Sequence, residues 1–130
     1  MTIVIGYIPT KQGEAALTAG IEQARAHGDR VLVVNMARDD KLVDAHRAPS
    51  SELDRLDRDL AESGVAHEVR RIEHGTDPAE ALIDVAGEVD ARLVVIGLRH
   101  RTAVGKLLLG STAQRVLLDA PCPVLAVKPR

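Results

Sequence analysis

The residues best suited to bind a ligand are Gly110, Ser111 and Thr112, at the predicted start of a helix. Backbone N–H groups at a helix start have no partner within the helix, and together with the helix dipole they attract anions. No acidic residue lies between Asp90 and Asp119. The same interval contains a histidine and five basic side chains: His100, Arg92, Arg99, Arg101, Lys106 and Arg115. A glycine, two hydroxyls and local positive charge together favour a phosphate site.

The same residues also fit a purely structural role. Ser111 and Gln114 have the spacing of a capping box, in which the two side chains satisfy helix donors without a ligand. The segment is not a Walker A loop, because Gly105-Lys106 is followed by leucine and the glycine five positions earlier is replaced by His100. No GxGxxG dinucleotide motif is present. A phosphate site and a helix cap therefore both remain open on the local pattern.

Other chemistry has little support in the sequence. The histidines are scattered, without a pair at i, i+4 or a cysteine partner, and this spacing does not predict a metal site. Cys122 precedes an apolar strand and has no histidine nearby in sequence, which favours an inert, packed thiol. No catalytic residue is assigned, because no carboxylate pair, Ser-His-Asp set or general base is evident. An enzyme is not favoured, and a slow ATPase is the most that we expect.

Composition narrows the class of protein further. The chain has 130 residues, the size of one domain, and we expect a single domain over residues 1–130. One tyrosine is the only aromatic residue and the formal charge is −2, which together argue against nucleic-acid binding. A single cysteine, no apolar run of membrane-spanning length and no basic leader in "MTIVIGYIP" predict a cytoplasmic protein, without a membrane partner.

Apolar runs of strand length alternate with segments of helical period. Continuous apolar strands separated by helices predict a parallel sheet with helices on both faces. Asp77 as N-cap and Pro78 at the first helical position mark the start of the third helix. Residues 37–49 are predicted to be a polar loop. The predicted strands cover residues 2–8, 30–36, 66–72, 92–97 and 123–128; the helices end near Gly28, Gly64, Val89 and Leu118.

This order, β-α-β-α-β-α-β-α-β, predicts where a ligand would bind. Ligands of such sheets lie outside the carboxyl ends of the strands, where the strand order reverses. If the first and fourth strands are neighbours, the crevice lies between "GYIPT" and the 97–112 segment. The polar third strand is expected at one sheet edge. If the apolar last strand is a sheet edge, it would expose unpaired backbone groups, a surface that proteins usually cover or pair.

Several short motifs lie along the chain. A degenerate form of the pattern Gly-x2-Gly-x9-Gly-[Ser/Thr] appears as Gly97-Leu98-Arg99-His100, nine residues, then Gly110-Ser111. It is accompanied by "IVIG", "TDPAEAL", "LLLGST" and "APCPVLAVKP". These motifs resemble those of the universal stress protein family, and the resemblance covers essentially the whole chain. It implies a single-domain, bacterial-type member with a Rossmann-like fold of the adenine nucleotide alpha hydrolase type. It also implies a homodimer joined through the C-terminal strand.

The resemblance also indicates which residues would hold a nucleotide, since some members of this family bind ATP and others do not. Gly97, Gly110, Ser111 and Thr112 match the motif, and Met36 stands where the family uses the backbone for adenine. The chain departs from the ATP-binding pattern at two positions. Ile8 replaces an aspartate and His100 replaces the second glycine, while Thr10 takes the place of a serine. Positive charge would come from Arg99, Arg101 or Lys106.

Two functions of different classes follow. The first is a cytoplasmic, homodimeric stress-response sensor that binds ATP or a related nucleotide without efficient turnover, with the participation of Mg²⁺ left open. The second is a dimeric interaction module that binds no nucleotide, in which the 97–112 segment is a capped basic surface. A slow ATPase or phosphate-transfer enzyme is a third possibility, and the sequence offers no base to activate water.

Overall fold

The computed structural model describes residues 1–36, 48–73, 75–99 and 110–129, with the side chains of α2 described from residue 54 onward. Five strands alternate with four helices in these residues. Their bounds are β1 Thr2–Tyr7, α1 Lys11–His27, β2 Arg30–Asn35, α2 Ala48–Ser63, β3 His67–Arg71, α3 Pro78–Glu88, β4 Leu93–Gly97, α4 Ser111–Asp119 and β5 Val124–Val127.

The strands form one parallel sheet in the order β3-β2-β1-β4-β5. The predicted α/β class and the adjacency of β1 and β4 are therefore confirmed. Polar β3 lies at one edge, as predicted, and apolar β5 lies at the other. At the β3 edge, Arg70 forms ion pairs with Glu68 and with Glu88 of α3, the latter at 3.1 Å. Charged side chains of this kind discourage pairing with another strand.

Alternation along the strands divides the core between the two faces of the sheet. Ile3 and Ile5 pack with Leu17 of α1 and Leu56 of α2, whereas Val4 packs with residues of α3 and α4. Successive strand residues point to opposite faces, so a strand buried on both faces must be continuously apolar. The short run of β1 thus specifies a central strand.

Local signals set most of the helix ends. The Thr10 hydroxyl accepts the Gly13 N–H at 3.2 Å and begins α1, and Gly28 ends it in the left-handed region with φ 69°. Asp77 caps α3 through the Glu80 N–H, as predicted. The polar loop predicted for residues 37–49 ends two residues too late, because α2 already begins at Ala48. Residues 37–47 lie outside the described residues. Proline in a first helical turn needs no N–H partner, so Pro49 fits the helix.

The capping box predicted at Ser111 is wrong. Gly110 is the N-cap of α4 and its carbonyl accepts the Gln114 N–H at 3.0 Å, so Ser111 is already the first helical residue. No side-chain hydrogen bond caps this helix. Among the described residues, no helix has both the length and the apolar character needed to cross a bilayer.

Candidate functional site

An open crevice of about 570 Å³ lies at the carboxyl ends of β1 and β4, between the starts of α1 and α4. It brings together six of the residues that the sequence indicated: Ile8, Met36, Gly97, Arg99, Gly110 and Thr112. The crevice is where a parallel sheet of this strand order is expected to bind a ligand, because the connections from β1 and β4 lead to opposite faces.

Three of the indicated residues are not placed in the wall of this crevice. The Thr10 oxygen is engaged as the N-cap of α1. Ser111 is exposed at the first position of α4 and is not among the lining residues. His100 lies outside the described residues, as do Arg101 and Lys106.

The end of the crevice near β2 is apolar. The Met36 N–H donates to the Tyr7 carbonyl at 2.8 Å, which fixes this residue beside the end of β1. Its thioether lies over Gly6, where an added Cβ would be 3.1 Å from the methionine Cε. Ile8 and Pro9 add further apolar surface to the crevice wall. Such a surface suits a flat, weakly polar ring, since thioethers pack well against aromatic groups.

Sequence reasoning missed the contribution of α1 and α3. Gln12 and Gly13, from the first turn of α1, line the crevice, and Pro78 of α3 lies at its margin. The signal for Gly13 was a glycine four residues before Leu17, on the same helical face, where glycine is costly unless the backbone needs the space. An added Cβ at Gly13 would lie 1.8 Å from the Ile8 carbonyl oxygen. The start of α1 therefore rests directly on the turn after β1.

The two motif glycines in this crevice have different reasons to be glycine. A Cβ on Gly97 would lie 2.1 Å from the carbonyl oxygen of Gln12, a backbone atom that cannot move aside without shifting α1. At Gly110 the nearest atoms among the described residues belong to the Arg99 guanidinium, at 3.3 to 3.7 Å, and the backbone angles of −64° and 159° suit any residue. The fold thus demands glycine at 97 but not at 110.

Among the three helix starts whose caps the structure describes, that of α4 is the best prepared for an anion. Side chains cap α1 and α3, whereas α4 has no side-chain cap and begins beside the Arg99 guanidinium. Within the part of the chain that the structure describes, no carboxylate lies within salt-bridge distance of Arg99. Open amides, a helix dipole and a cation fit an oxyanion such as phosphate, and the bare Gly110 backbone leaves them accessible.

The predicted cluster of five positive charges is wrong at two positions. Arg92 lies at the amino ends of the strands, opposite the crevice, where it pairs with buried Asp29. The Arg92 hydrogen bond is the main cause that lowers the pKa of this carboxyl, which also pairs with the N-terminal ammonium at 3.2 Å. Arg115 is paired with carboxylates of α3 and α4. Arg99 is the member of the cluster that the structure places in the crevice wall.

Among the residues that the structure describes, the remaining candidate groups form no second site. Cys122 is half-buried against the core, and burial raises the pKa of its thiol, which lowers its reactivity. Over the described ranges, no three His, Cys, Asp or Glu side chains cluster in a way that could hold a metal ion.

Comparison with known proteins agrees with this arrangement. Residues 1–128 match the family model described as "Universal stress protein family". The chain belongs to the universal stress protein family. A universal stress protein of Mycolicibacterium smegmatis is 48% identical over 127 residues, which cover 98% of this chain and 97% of the relative. A universal stress protein structure from Archaeoglobus fulgidus superposes with a TM-score of 0.79 at 31% identity, covering 98% of each chain.

Two other solved universal stress proteins were obtained with adenine nucleotides. One, from Archaeoglobus fulgidus in complex with dAMP, is 28% identical with a TM-score of 0.73 and 98% of each chain covered. The other, in complex with cAMP, is 26% identical with a TM-score of 0.75 and covers 100% of this chain and 98% of its own. Similar proteins of this family thus bind small adenine nucleotides.

Proposed function

We propose that this universal stress protein is a cytoplasmic homodimer that binds ATP or a related adenine nucleotide as a sensor, without efficient turnover. The observation that carries the proposal is the uncapped start of α4 beside Arg99, in the wall of a crevice with an apolar end. The nucleotide complexes of the two relatives support the ligand class.

In this proposal the phosphates bind at Gly110, Ser111 and Thr112, and Arg99 supplies positive charge. Adenosine takes the other end of the crevice, near Met36, Ile8 and Thr10. The apolar wall there suits a base, and the Thr10 hydroxyl keeps its hydrogen to donate, since only its oxygen is used to cap α1. His100, Arg101 and Lys106 belong to the proposed phosphate site because they lie in the same motif segment, 97–112, as Arg99.

A sensor is favoured over an enzyme by the chemistry of the crevice. Its described lining contains no histidine and no carboxylate, the groups that most often act as a general base. Hydrolysis of a phosphoanhydride needs an oriented and activated water as well as charge stabilisation. The described wall supplies a cation and helix amides, which bind a phosphate, without a group to activate water.

The melting temperature in the presence of nucleotide tests the proposal. A ligand that binds only the native state stabilises it by about 2.7 kcal/mol at one hundred times its dissociation constant, so millimolar ATP is expected to raise Tm by several degrees. Arg99→Ala should reduce this rise. No change in Tm at millimolar ATP, with and without Mg²⁺, would contradict nucleotide binding and favour the interaction module. In that case Ile8→Asp with His100→Gly should create the rise, if those two residues prevent binding.

The homodimer part of the proposal rests on the unequal edges of the sheet. β5 has the sequence "VLAV", and its four residues are only half-buried. The helix that leads into it exposes Leu117 and Leu118, the latter at 77% of its surface. β3, by contrast, has charged side chains. A second copy of β5 would satisfy the unpaired backbone groups of this edge and cover its apolar side chains.

Sedimentation analysis tests the dimer directly. The expected mass is twice the 13.9 kDa of the chain. Ala126→Glu is expected to yield monomers, because a twofold axis through β5 would bring the two introduced carboxylates close together. Arg71→Glu, on the opposite edge, is the control and should remain dimeric. A wild-type protein of single-chain mass would overturn this part of the proposal, and an unaltered Ala126→Glu dimer would place the interface elsewhere.

A further inference from the structure

Arg115 is surrounded by carboxylates from two helices. Its Nη1 lies 2.9 Å from Asp77 Oδ2, and its other nitrogens lie 3.7 Å from Glu80 Oε1 and from Asp119 Oδ2. The Asp77 oxygen also accepts the Glu80 N–H at 3.2 Å, so one atom both caps α3 and pairs with α4. All four side chains are about half exposed.

These charges lie beside the candidate anion site. Pro78, next to Asp77, and both Thr112 and Ala113 of α4 line the same crevice. Asp77 and Glu80 are favourable at the start of α3, where they complement the helix dipole. They are unfavourable for an anion bound at the start of α4, because like charges repel over distances up to the Debye length of about 8 Å at physiological salt.

We infer that Arg115 is a positioning residue that neutralises Asp77 and Glu80, and so keeps the start of α4 attractive to anions. It does so without contact with the ligand, since it is not part of the crevice wall. The inference rests on the proposed function for the location of the phosphates. This role gives Arg115, four positions after the motif serine Ser111, a function in anion binding although its own charge is already paired.

Binding of tripolyphosphate and of ATP to Arg115 variants tests this role. Arg115→Gln should weaken tripolyphosphate binding about threefold at low salt, within the range of a single charge near a helix end, and the loss should shrink in high salt. Arg115→Lys keeps the charge and should bind almost as the wild type. Adding Asp77→Asn and Glu80→Gln to Arg115→Gln should restore affinity, because asparagine still caps α3 while both repelling charges are gone.

A control variant distinguishes the loss of positive charge near the anion site from the general effect of breaking a surface ion pair. Arg70→Gln is the matched control, because Arg70 also pairs with two carboxylates, and its loss should leave binding unchanged. If the triple variant binds no better than Arg115→Gln, or if Arg115→Gln binds normally, the inference is wrong. Tripolyphosphate binding that depends on Arg115 while ATP fails to bind would refute the nucleotide proposal alone. If the wild type binds neither anion, both are refuted.

Discussion

Replacing Gly97 with alanine is expected to lower the free energy of unfolding by about 3 kcal/mol or more. The added methyl group would lie 2.1 Å from the Gln12 carbonyl oxygen and 2.6 Å from its carbon. Both are backbone atoms of the first turn of α1, so the strain is relieved only by moving that helix away from β4. Urea unfolding followed by far-UV circular dichroism measures the change.

Gly87→Ala is the matched control for this experiment. Gly87 lies within α3, and an added Cβ there has no atom within 4 Å. Because alanine is a better helix former than glycine, this variant should be more stable by about 0.5 to 1 kcal/mol. A Gly97→Ala protein as stable as the wild type would show that α1 does not press on the end of β4 in solution.

Gly110→Ala is expected to leave the fold intact and to weaken nucleotide binding about tenfold, which corresponds to about 1.4 kcal/mol. The backbone at Gly110 suits alanine, and the atoms nearest the new methyl group belong to the movable Arg99 side chain. The cost in stability should therefore be that of a poorer N-cap residue, about 0.5 to 1 kcal/mol. The same methyl group would displace the guanidinium and cover the amides of α4. Calorimetric titration with ATP measures the affinity.

The comparison of the two motif glycines is the informative result. Gly97→Ala should mainly lower the free energy of unfolding, whereas Gly110→Ala should mainly weaken ATP binding, although both replace glycine with alanine. A Gly110→Ala protein with unchanged affinity would exclude the start of α4 as the phosphate site. Gly87→Ala, titrated under the same conditions, should bind ATP as the wild type does, because Gly87 is not among the residues that line the crevice.

The fold was predictable because its determinants are local. Asp77-Pro78 marks a helix start within two residues, and the continuous apolar run of β1 identifies a central strand. The errors concern the ends of elements, whose predicted positions differ from the observed ones by one or two residues. β1 ends at Tyr7 rather than Ile8, whose carbonyl accepts the Thr10 N–H at 2.8 Å in the turn before α1. The helix start at Ser111 likewise differs by one position from a capping box.

The crevice was predictable from topology, but its charges were not. Arg92 and Arg115 are close in sequence to Arg99, yet their hydrogen-bonded partners Asp29 and Asp77 are 63 and 38 positions away. Periodicity and composition contain no information on such pairs. Only the three-dimensional arrangement separates an arginine that lines the crevice from arginines that are already neutralised.

The unequal edges of the sheet also bear on how far assembly proceeds. A parallel sheet whose two edge strands could both pair with other copies would add copies at both edges and grow into fibres. Here the charged side chains of β3 and the Arg70–Glu88 ion pair oppose strand pairing at one edge, whereas the β5 edge is apolar. In the proposed dimer, twofold pairing would use the apolar β5 edge of each copy, so the assembly would close at two chains and present only the charged β3 edges to the solvent.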